Sequence, residues 1–231
     1  MIRAHIPGPP DGPARPGEPA RPGGPDRPGE PGPAEPASSP ARVWLDPHAG
    51  LRTRLQEGLL ARRIVFVSGV LDDDAAARLS AQLLTLDAEG NRPIRLELQN
   101  LRGELSAVVT VMGILEVLHA PVHGCVSGEL AGPALGVLAG CARRTGYPNA
   151  TFTLSEPRMH LAGTATAVSA REQHMLRMLD TVYFTLADVT GRPIEEIRED
   201  SRRGRVLTTG QAIGYGLIEA QEAGGPRAAN A

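Results

Sequence analysis

Short runs of β-branched and aromatic residues alternate along this chain with longer segments whose apolar residues recur at helical spacing. Ile64-Val65-Phe66-Val67 is typical of a buried strand, and Ile94, Leu96 and Leu98 alternate with polar residues, as in a strand with one wetter face. Between these two runs, Asp72 and the acidic residues after it can cap a helix. Strands that alternate with helices indicate repeated β-α units, and therefore an α/β domain.

The same two patterns continue toward the C-terminus. We expect further helices over residues 46–60, 108–118, 128–142 and 169–189, and further strands over residues 122–126 and 151–154. Gly191 suits the C-cap of the long helix, and Pro193 suits the first turn of the next one. The leucines expected to share a face of the helix after Asp72 are Leu79, Leu83 and Leu84. The residues expected on one side of the long helix are Met175, Leu176, Leu179, Val182, Tyr183 and Leu186.

Residues 1–41 differ in composition from the rest of the chain. Most of the prolines lie here, and Arg15-Pro16-Gly17, Arg21-Pro22-Gly23 and Arg27-Pro28-Gly29 recur at regular spacing. Proline removes backbone donors, and there is little apolar surface to bury, so we expect a disordered tail that is partly polyproline II. A proline-rich ligand for an SH3-type domain is the sharper alternative. We expect one globular domain over residues 42–222 and a flexible C-terminal tail over residues 223–231.

Composition argues against several classes of protein. The charges nearly cancel, with 24 Lys+Arg against 26 Asp+Glu, whereas a nucleic-acid binder would show a basic excess. No run approaches the roughly 18 apolar residues of a membrane span, and the N-terminus has no apolar core of a secretory signal. Cys125 and Cys141 lie in apolar sequence, which favours buried, reduced thiols in a cytoplasmic protein. The histidines show no metal-ligand spacing.

Six segments, in the right order, resemble the proteolytic subunit of Clp protease. They are Arg62-Arg63-Ile64-Val65-Phe66, Leu79-Ser80-Ala81-Gln82-Leu83-Leu84, Cys125-Val126 with Ala134-Leu135 and Leu138-Ala139-Gly140, Pro148-Asn149-Ala150, Thr190-Gly191-Arg192-Pro193 with Ile194-Glu195-Glu196-Ile197, and Leu207-Thr208-Thr209 with Tyr215-Gly216-Leu217-Ile218. The resemblance covers residues 43–220. It implies a crotonase-like fold of repeated β-β-α units, with a handle formed by the long helix over residues 169–189.

The resemblance also implies an ATP-dependent serine peptidase, whose chemistry needs a nucleophile, a histidine and an orienting carboxylate. At the matching positions this chain has Ala131, Ser155 and Gly204. Asp200 lies four residues before Gly204 and could be shifted into register. A methyl group cannot attack a carbonyl, and serine is no base near neutral pH. We therefore expect a degenerate triad and no catalytic residues.

The backbone that would stabilise an oxyanion is altered as well. Gly103 and Gly132 remain at the positions that the family uses for the oxyanion hole. Pro133 stands where the family has glycine. Glu104 follows Gly103, and its carboxylate would oppose a developing negative charge. We expect the turn at residues 102–105 to spoil the groove that binds substrate as well as the oxyanion site.

We expect an inactive subunit that contributes to the assembly or regulation of a ring-shaped Clp peptidase. The partners that the resemblance implies are other Clp proteolytic subunits, which stack in paired rings, and a Clp ATPase. It implies no cofactor, no nucleic acid and no membrane. Two alternatives stay open: a peptidase that uses non-standard residues such as Ser127 or His160, and an acyl-CoA-binding protein like the crotonase relatives.

Overall fold

A computed structural model describes residues 49–157 and 163–222. In this part of the chain, the helices are α1 (Ala49–Leu60), α2 (Asp73–Ala88), α3 (Leu105–Val117), α4 (Leu135–Ala139), α5 (Ala165–Thr190), α6 (Ile194–Arg203) and α7 (Thr209–Tyr215). The strands are β1 (Ile64–Leu71), β2 (Ile94–Gly103), β3 (Val122–Ala131), β4 (Arg143–Gly146), β5 (Thr151–Thr153), β6 (Val206–Thr208) and β7 (Ala220–Gln221). The α/β expectation is confirmed. The tails predicted over residues 1–41 and 223–231 lie outside the described residues.

The main sheet is parallel, in the order β1-β2-β3-β4-β7. Strand β3 changes its partner along its length. Its first half pairs with β4 from His123 to Val126, and its end pairs with β5 from Glu129 to Ala131. Strand β5 in turn pairs with β6 in the antiparallel direction. The end of β3 therefore lies where a small second layer of strands splits away from the main sheet.

The split coincides with an irregularity held by Asn100 and Gly128. Both residues have positive φ, 45° and 76°, and the register between β2 and β3 shifts between Gln99 and Leu101. The Asn100 Oδ1 atom accepts a hydrogen bond from the Glu129 N–H at 3.0 Å. A Cβ at position 128 would lie 2.2 Å from that oxygen, so the contact requires glycine.

The helix predicted over residues 128–142 is wrong over most of that range. Residues 128–131 continue β3, residues 132–134 form a single 3₁₀ turn, and α4 spans only Leu135–Ala139. Gly128 takes a left-handed conformation, and the Asn100 side chain holds the next residue in the ladder. A segment rich in glycine and alanine carries no apolar period of its own, so its neighbours decide its structure.

The core lies between the sheet and helices α2 to α5. Ile94, Leu96 and Leu98, on β2, are fully buried in this core, as the alternation predicted. Leu79 and Leu83 are buried as expected, but Leu84 is 45% exposed because it is a further 100° around the helix. On α5, Leu176 is also exposed, whereas Val182, Tyr183 and Leu186 are buried.

Helix α5, the predicted handle, begins at Ala165, and the Thr164 side chain caps it by accepting a hydrogen bond from the Ala167 N–H at 3.3 Å. It ends at the predicted Gly191, whose φ is 65°. Cys125 and Cys141 are buried, free thiols, and burial raises the pKa of each to about 12. None of the helices in the described part of the chain combines the length and apolar character that a membrane span requires.

Candidate functional site

A cavity of about 440 Å³ opens where β3 ends. Its wall brings together four of the predicted site residues, Gly103, Ala131, Gly132 and Ser155, from three separate parts of the chain. We call it the Ala131 cavity. The other residues that line it are Arg102, Glu129, Pro133, Thr153, Glu156 and Pro157. Gly204 and Ser127 are not among them.

The strand register sets the neighbours of Ala131 in this cavity. Arg102 on β2 and Thr153 on β5 are the in-register partners of Ala131 on its two sides. In-register residues on parallel strands direct their side chains to the same face of the sheet. The side chain at position 131 therefore stands between an arginine and a threonine, and it is a methyl group that is 7% exposed.

Gly132 begins the turn after β3, with φ of 61°. A Cβ at this position would lie 3.3 Å from the Ser155 Oγ atom, so Ser155 packs directly against the turn. Pro133 follows and has no N–H to donate. Ala131, the turn and α4 thus form a strand–turn–helix arrangement with a methyl group at the end of the strand.

Ser155 follows β5 and contacts the buried side of α5. A narrow gap beside it is bounded by Tyr183 from α5 and Ser201 from α6. Burial raises the pKa of the Tyr183 hydroxyl, which has no hydrogen-bond partner of acceptable geometry among the described residues. No histidine among residues 49–157 and 163–222 lines the Ala131 cavity. His160 lies outside the described residues.

The third predicted position, Gly204, caps the end of α6 in a left-handed conformation, with φ of 68°. Asp200 is buried, and its carboxylate accepts a hydrogen bond from the Tyr215 hydroxyl at 2.7 Å and from Arg205 at 2.9 Å. Burial and the hydrogen bond to Asp200 raise the pKa of Tyr215. Arg192 lies over the Tyr215 ring, 4.1 Å from its centre. Asp200 therefore joins α6 to α7, and in the described part of the chain its carboxylate hydrogen-bonds with the side chains of Tyr215 and Arg205 alone.

The Glu104 carboxylate lies beside the cavity and does not line it. Glu104 lines an adjacent cleft of about 560 Å³, together with Arg171 and His174. This cleft shares Gly103 and Pro157 with the Ala131 cavity. The Glu104 N–H donates to the Leu71 carbonyl at 2.9 Å, so this donor is already used. The expectation that the Glu104 carboxylate would oppose a developing negative charge stays a prediction, and the residue lines the cleft next to the Ala131 cavity.

Two other carboxylates, which the motif comparison missed, line the Ala131 cavity. Glu129 accepts hydrogen bonds from Arg102 at 3.1 Å and from the Thr153 hydroxyl at 3.2 Å. Glu156 lies 3.8 Å from Arg202. Glu129 precedes Ala131 by two residues, and the period of a strand puts both on one face. That spacing is the signal that could have found it.

Ser127 occupies the middle of β3, where it pairs with Gln99. It does not cap a helix, and it lies away from the lining of the Ala131 cavity. The alternative nucleophile considered from the sequence is therefore on a different part of the sheet.

Comparison with protein families matches residues 50–221 to the family described as Clp protease. The chain belongs to the Clp protease family. It is 32% identical over 164 residues to a protein of Ligilactobacillus salivarius (strain UCC118) named ATP-dependent Clp protease proteolytic subunit, with 70% of this chain and 83% of that protein covered. It is also 32% identical over 177 residues to ATP-dependent Clp protease proteolytic subunit 1 of Nocardia farcinica (strain IFM 10152), with 75% and 90% covered.

The family assignment confirms the resemblance drawn from the six sequence segments. The parallel sheet, the small second layer of strands and the long α5 agree with the crotonase-like fold of the Clp protease family. Within that fold, the Ala131 cavity lies at the end of β3.

Proposed function

We propose that this chain is a catalytically inactive Clp proteolytic subunit that contributes to the assembly or regulation of a ring-shaped, ATP-dependent Clp peptidase. The observation that carries the proposal is the alanine at the end of β3. Its methyl group stands between Arg102 and Thr153, at the position from which a nucleophile would face the cavity.

Acyl transfer at this site would need an activated nucleophile and a base. A methyl group at 131 supplies no lone pair, and Ser155 has no histidine among the described lining residues to take its proton. Asp200 has its carboxylate engaged by Tyr215 and Arg205. Gly103 and Gly132 remain as remnants of the oxyanion hole, but backbone donors alone leave the attacking group missing.

The parts of the chain that build the fold support a role in assembly. The handle α5 is 26 residues long and ends at Gly191, which forms its C-cap in the left-handed conformation. We propose that it joins this chain to other Clp proteolytic subunits in a ring, on which a Clp ATPase docks, in the cytoplasm and without a cofactor. The assembling part is the domain over residues 42–222, with residues 1–41 and 223–231 as tails.

A fluorophosphonate probe tests the loss of catalysis directly. We expect no labelling of the full-length chain, and strong labelling of the Ligilactobacillus salivarius relative as the positive control. Labelling that disappears in Ser155→Ala or Ser127→Ala, together with cleavage of a small fluorogenic peptide, would refute the proposal.

Assembly is tested by native mass spectrometry of the complex purified from its own cells. We expect rings in which this chain is present with other Clp proteolytic subunits or with copies of itself. A chain that remains monomeric and brings down no Clp subunit contradicts the assembly role.

A further inference from the structure

We propose that the Ala131 cavity is a subsite for one basic side chain of a bound peptide, arginine or lysine, and that Arg102 pairs with the Glu129 carboxylate of this subsite when no peptide is present. This rests on the proposed function, since a peptide held here stays intact for want of a nucleophile. It names a ligand chemistry for a cavity whose family chemistry has been lost.

Glu129 supplies the charge that a basic group would meet. It lies on the same face of β3 as Ala131, and its carboxylate faces the cavity. One of its oxygens accepts a hydrogen bond from the Thr153 hydroxyl, and the other accepts a hydrogen bond from the Arg102 guanidinium. A carboxylate offers about four lone-pair sites, so these two bonds leave room for further donors.

Arg102 shows which chemistry fits that carboxylate. Its guanidinium binds the Glu129 Oε2 atom at 3.1 Å from the rim of the cavity. Its side chain is 71% exposed, and among the described residues its side chain hydrogen-bonds only with Glu129. An exposed ion pair of this kind favours the state in which Arg102 is bound to Glu129 over the unbound state by no more than about fivefold. A peptide guanidinium that is also held by its backbone can therefore displace Arg102.

Glu156 is a second carboxylate among the residues that line the cavity. Glu156 is half exposed, and Arg202, its ion-pair partner, lies at 3.8 Å, beyond hydrogen-bond distance. The lining thus carries two carboxylates, Glu129 and Glu156, against one guanidinium. With Arg202 counted, these charges balance, so the preference for a positive group rests on the Glu129 carboxylate that it would reach.

The cavity is large enough to admit a long side chain together with part of the peptide that carries it. At about 440 Å³, it falls near the lower end of the range that ligand pockets occupy, roughly 300–1,000 Å³. Ala131 and two prolines, Pro133 and Pro157, are among the residues that line it. Apolar surface of this kind can pack against the methylene stem of a lysine or arginine while its charged end reaches Glu129.

The test uses fluorescein-labelled, end-capped alanine peptides that differ at one residue, arginine or its neutral isostere citrulline. Binding to the full-length chain is measured by fluorescence anisotropy at low ionic strength. We expect the arginine peptide to bind about fivefold more tightly than the citrulline peptide, the scale of one partly exposed ion pair. Glu129→Gln should abolish that difference. Arg102→Ala should raise the affinity for the arginine peptide by roughly two- to fivefold, because it removes the side chain that competes with the peptide for Glu129.

The opposite signs of the two variants separate ligand binding from a structural role, which would weaken binding in both. Glu219→Gln is the matched control, because it breaks an Arg144–Glu219 pair of the same 3.1 Å length outside the cavity. We expect it to leave both affinities unchanged. Equal affinity for the two peptides, or a loss of binding in Arg102→Ala, overturns the proposal.

Mass spectrometry of the recovered peptides keeps the two proposals apart. Cleaved peptide would refute the proposed function, because it requires an active site. Intact peptide bound without preference for arginine would overturn only the basic subsite. Absence of binding by every variant would overturn the subsite as well, and it would leave the probe and ring experiments to decide the function.

Discussion

Replacing Tyr215 with phenylalanine removes one buried hydrogen bond and leaves the ring in place. The Tyr215 hydroxyl donates to Asp200 at 2.7 Å, and the two residues are 3% and 6% exposed. A hydrogen bond to a buried charged group contributes about 1.5–3 kcal/mol. Arg205 still contacts both Asp200 oxygens, so we expect a loss near the lower end, about 2 kcal/mol.

Urea unfolding followed by circular dichroism measures this loss. With a slope of about 2 kcal/mol per molar urea, the midpoint should fall by about 1 M without a change in slope. Tyr147→Phe is the control: its hydroxyl is 3.5 Å from Arg95 and its side chain is 40% exposed, so we expect a change below about 0.5 kcal/mol. If both variants unfold at the wild-type midpoint, Asp200 is not a structural anchor and the assignment of its role is wrong.

Three further predictions concern the β3 irregularity, the buried thiols and the lost triad. Gly128→Ala should lower the free energy of unfolding by about 2–4 kcal/mol, because alanine is strained at this positive φ and would displace the Asn100 side chain. The control Gly210→Ala, on α7, should leave the free energy of unfolding unchanged or raise it. Equal urea midpoints for the two variants would contradict this prediction. The Cys141 thiol has a pKa near 12 when folded and about 8.5 when unfolded, so its contribution to stability is complete below pH 8.5 and is lost as the pH rises toward 12. Cys141→Ala should therefore flatten the alkaline decline in unfolding free energy, and an unchanged slope would refute the assignment. Restoring serine, histidine and aspartate at 131, 155 and 204 should not recover hydrolysis of a fluorogenic peptide unless the turn at 102–105 is also repaired; robust hydrolysis by the triple revertant alone would show that the turn is competent.

The parts of the fold that depend on local pattern could be predicted from the sequence. The alternation at Ile94, Leu96 and Leu98 identified a strand with a buried face, and Gly191 marked the end of the handle because only glycine takes a left-handed C-cap at no cost. The family resemblance also brought Ala131 and Ser155 to one site, and the structure places both in one cavity.

The parts that depend on contacts between distant strands could not be predicted. The segment after Gly128 continues β3 because Asn100, from another strand, holds the Glu129 N–H. The turn at Glu104, which lines a neighbouring cleft, is held by the hydrogen bond from its N–H to Leu71, from a third strand. In both places a hydrogen bond across the sheet, invisible to local periodicity, decides where the chain goes.

The exchange of partners along β3 also has a consequence for the order in which the molecule folds. The first half of β3 pairs with β4, which follows closely in sequence, whereas the end of β3 depends on β5, and β5 pairs with β6 only after the whole handle has intervened. Closing so long a loop carries an entropic cost that nearby pairings do not. We expect the Ala131 cavity to be completed late in refolding, after the main sheet. Pulse-labelled hydrogen exchange should then protect the amides of residues 123–126 before those of residues 151–153, and simultaneous protection would contradict this order.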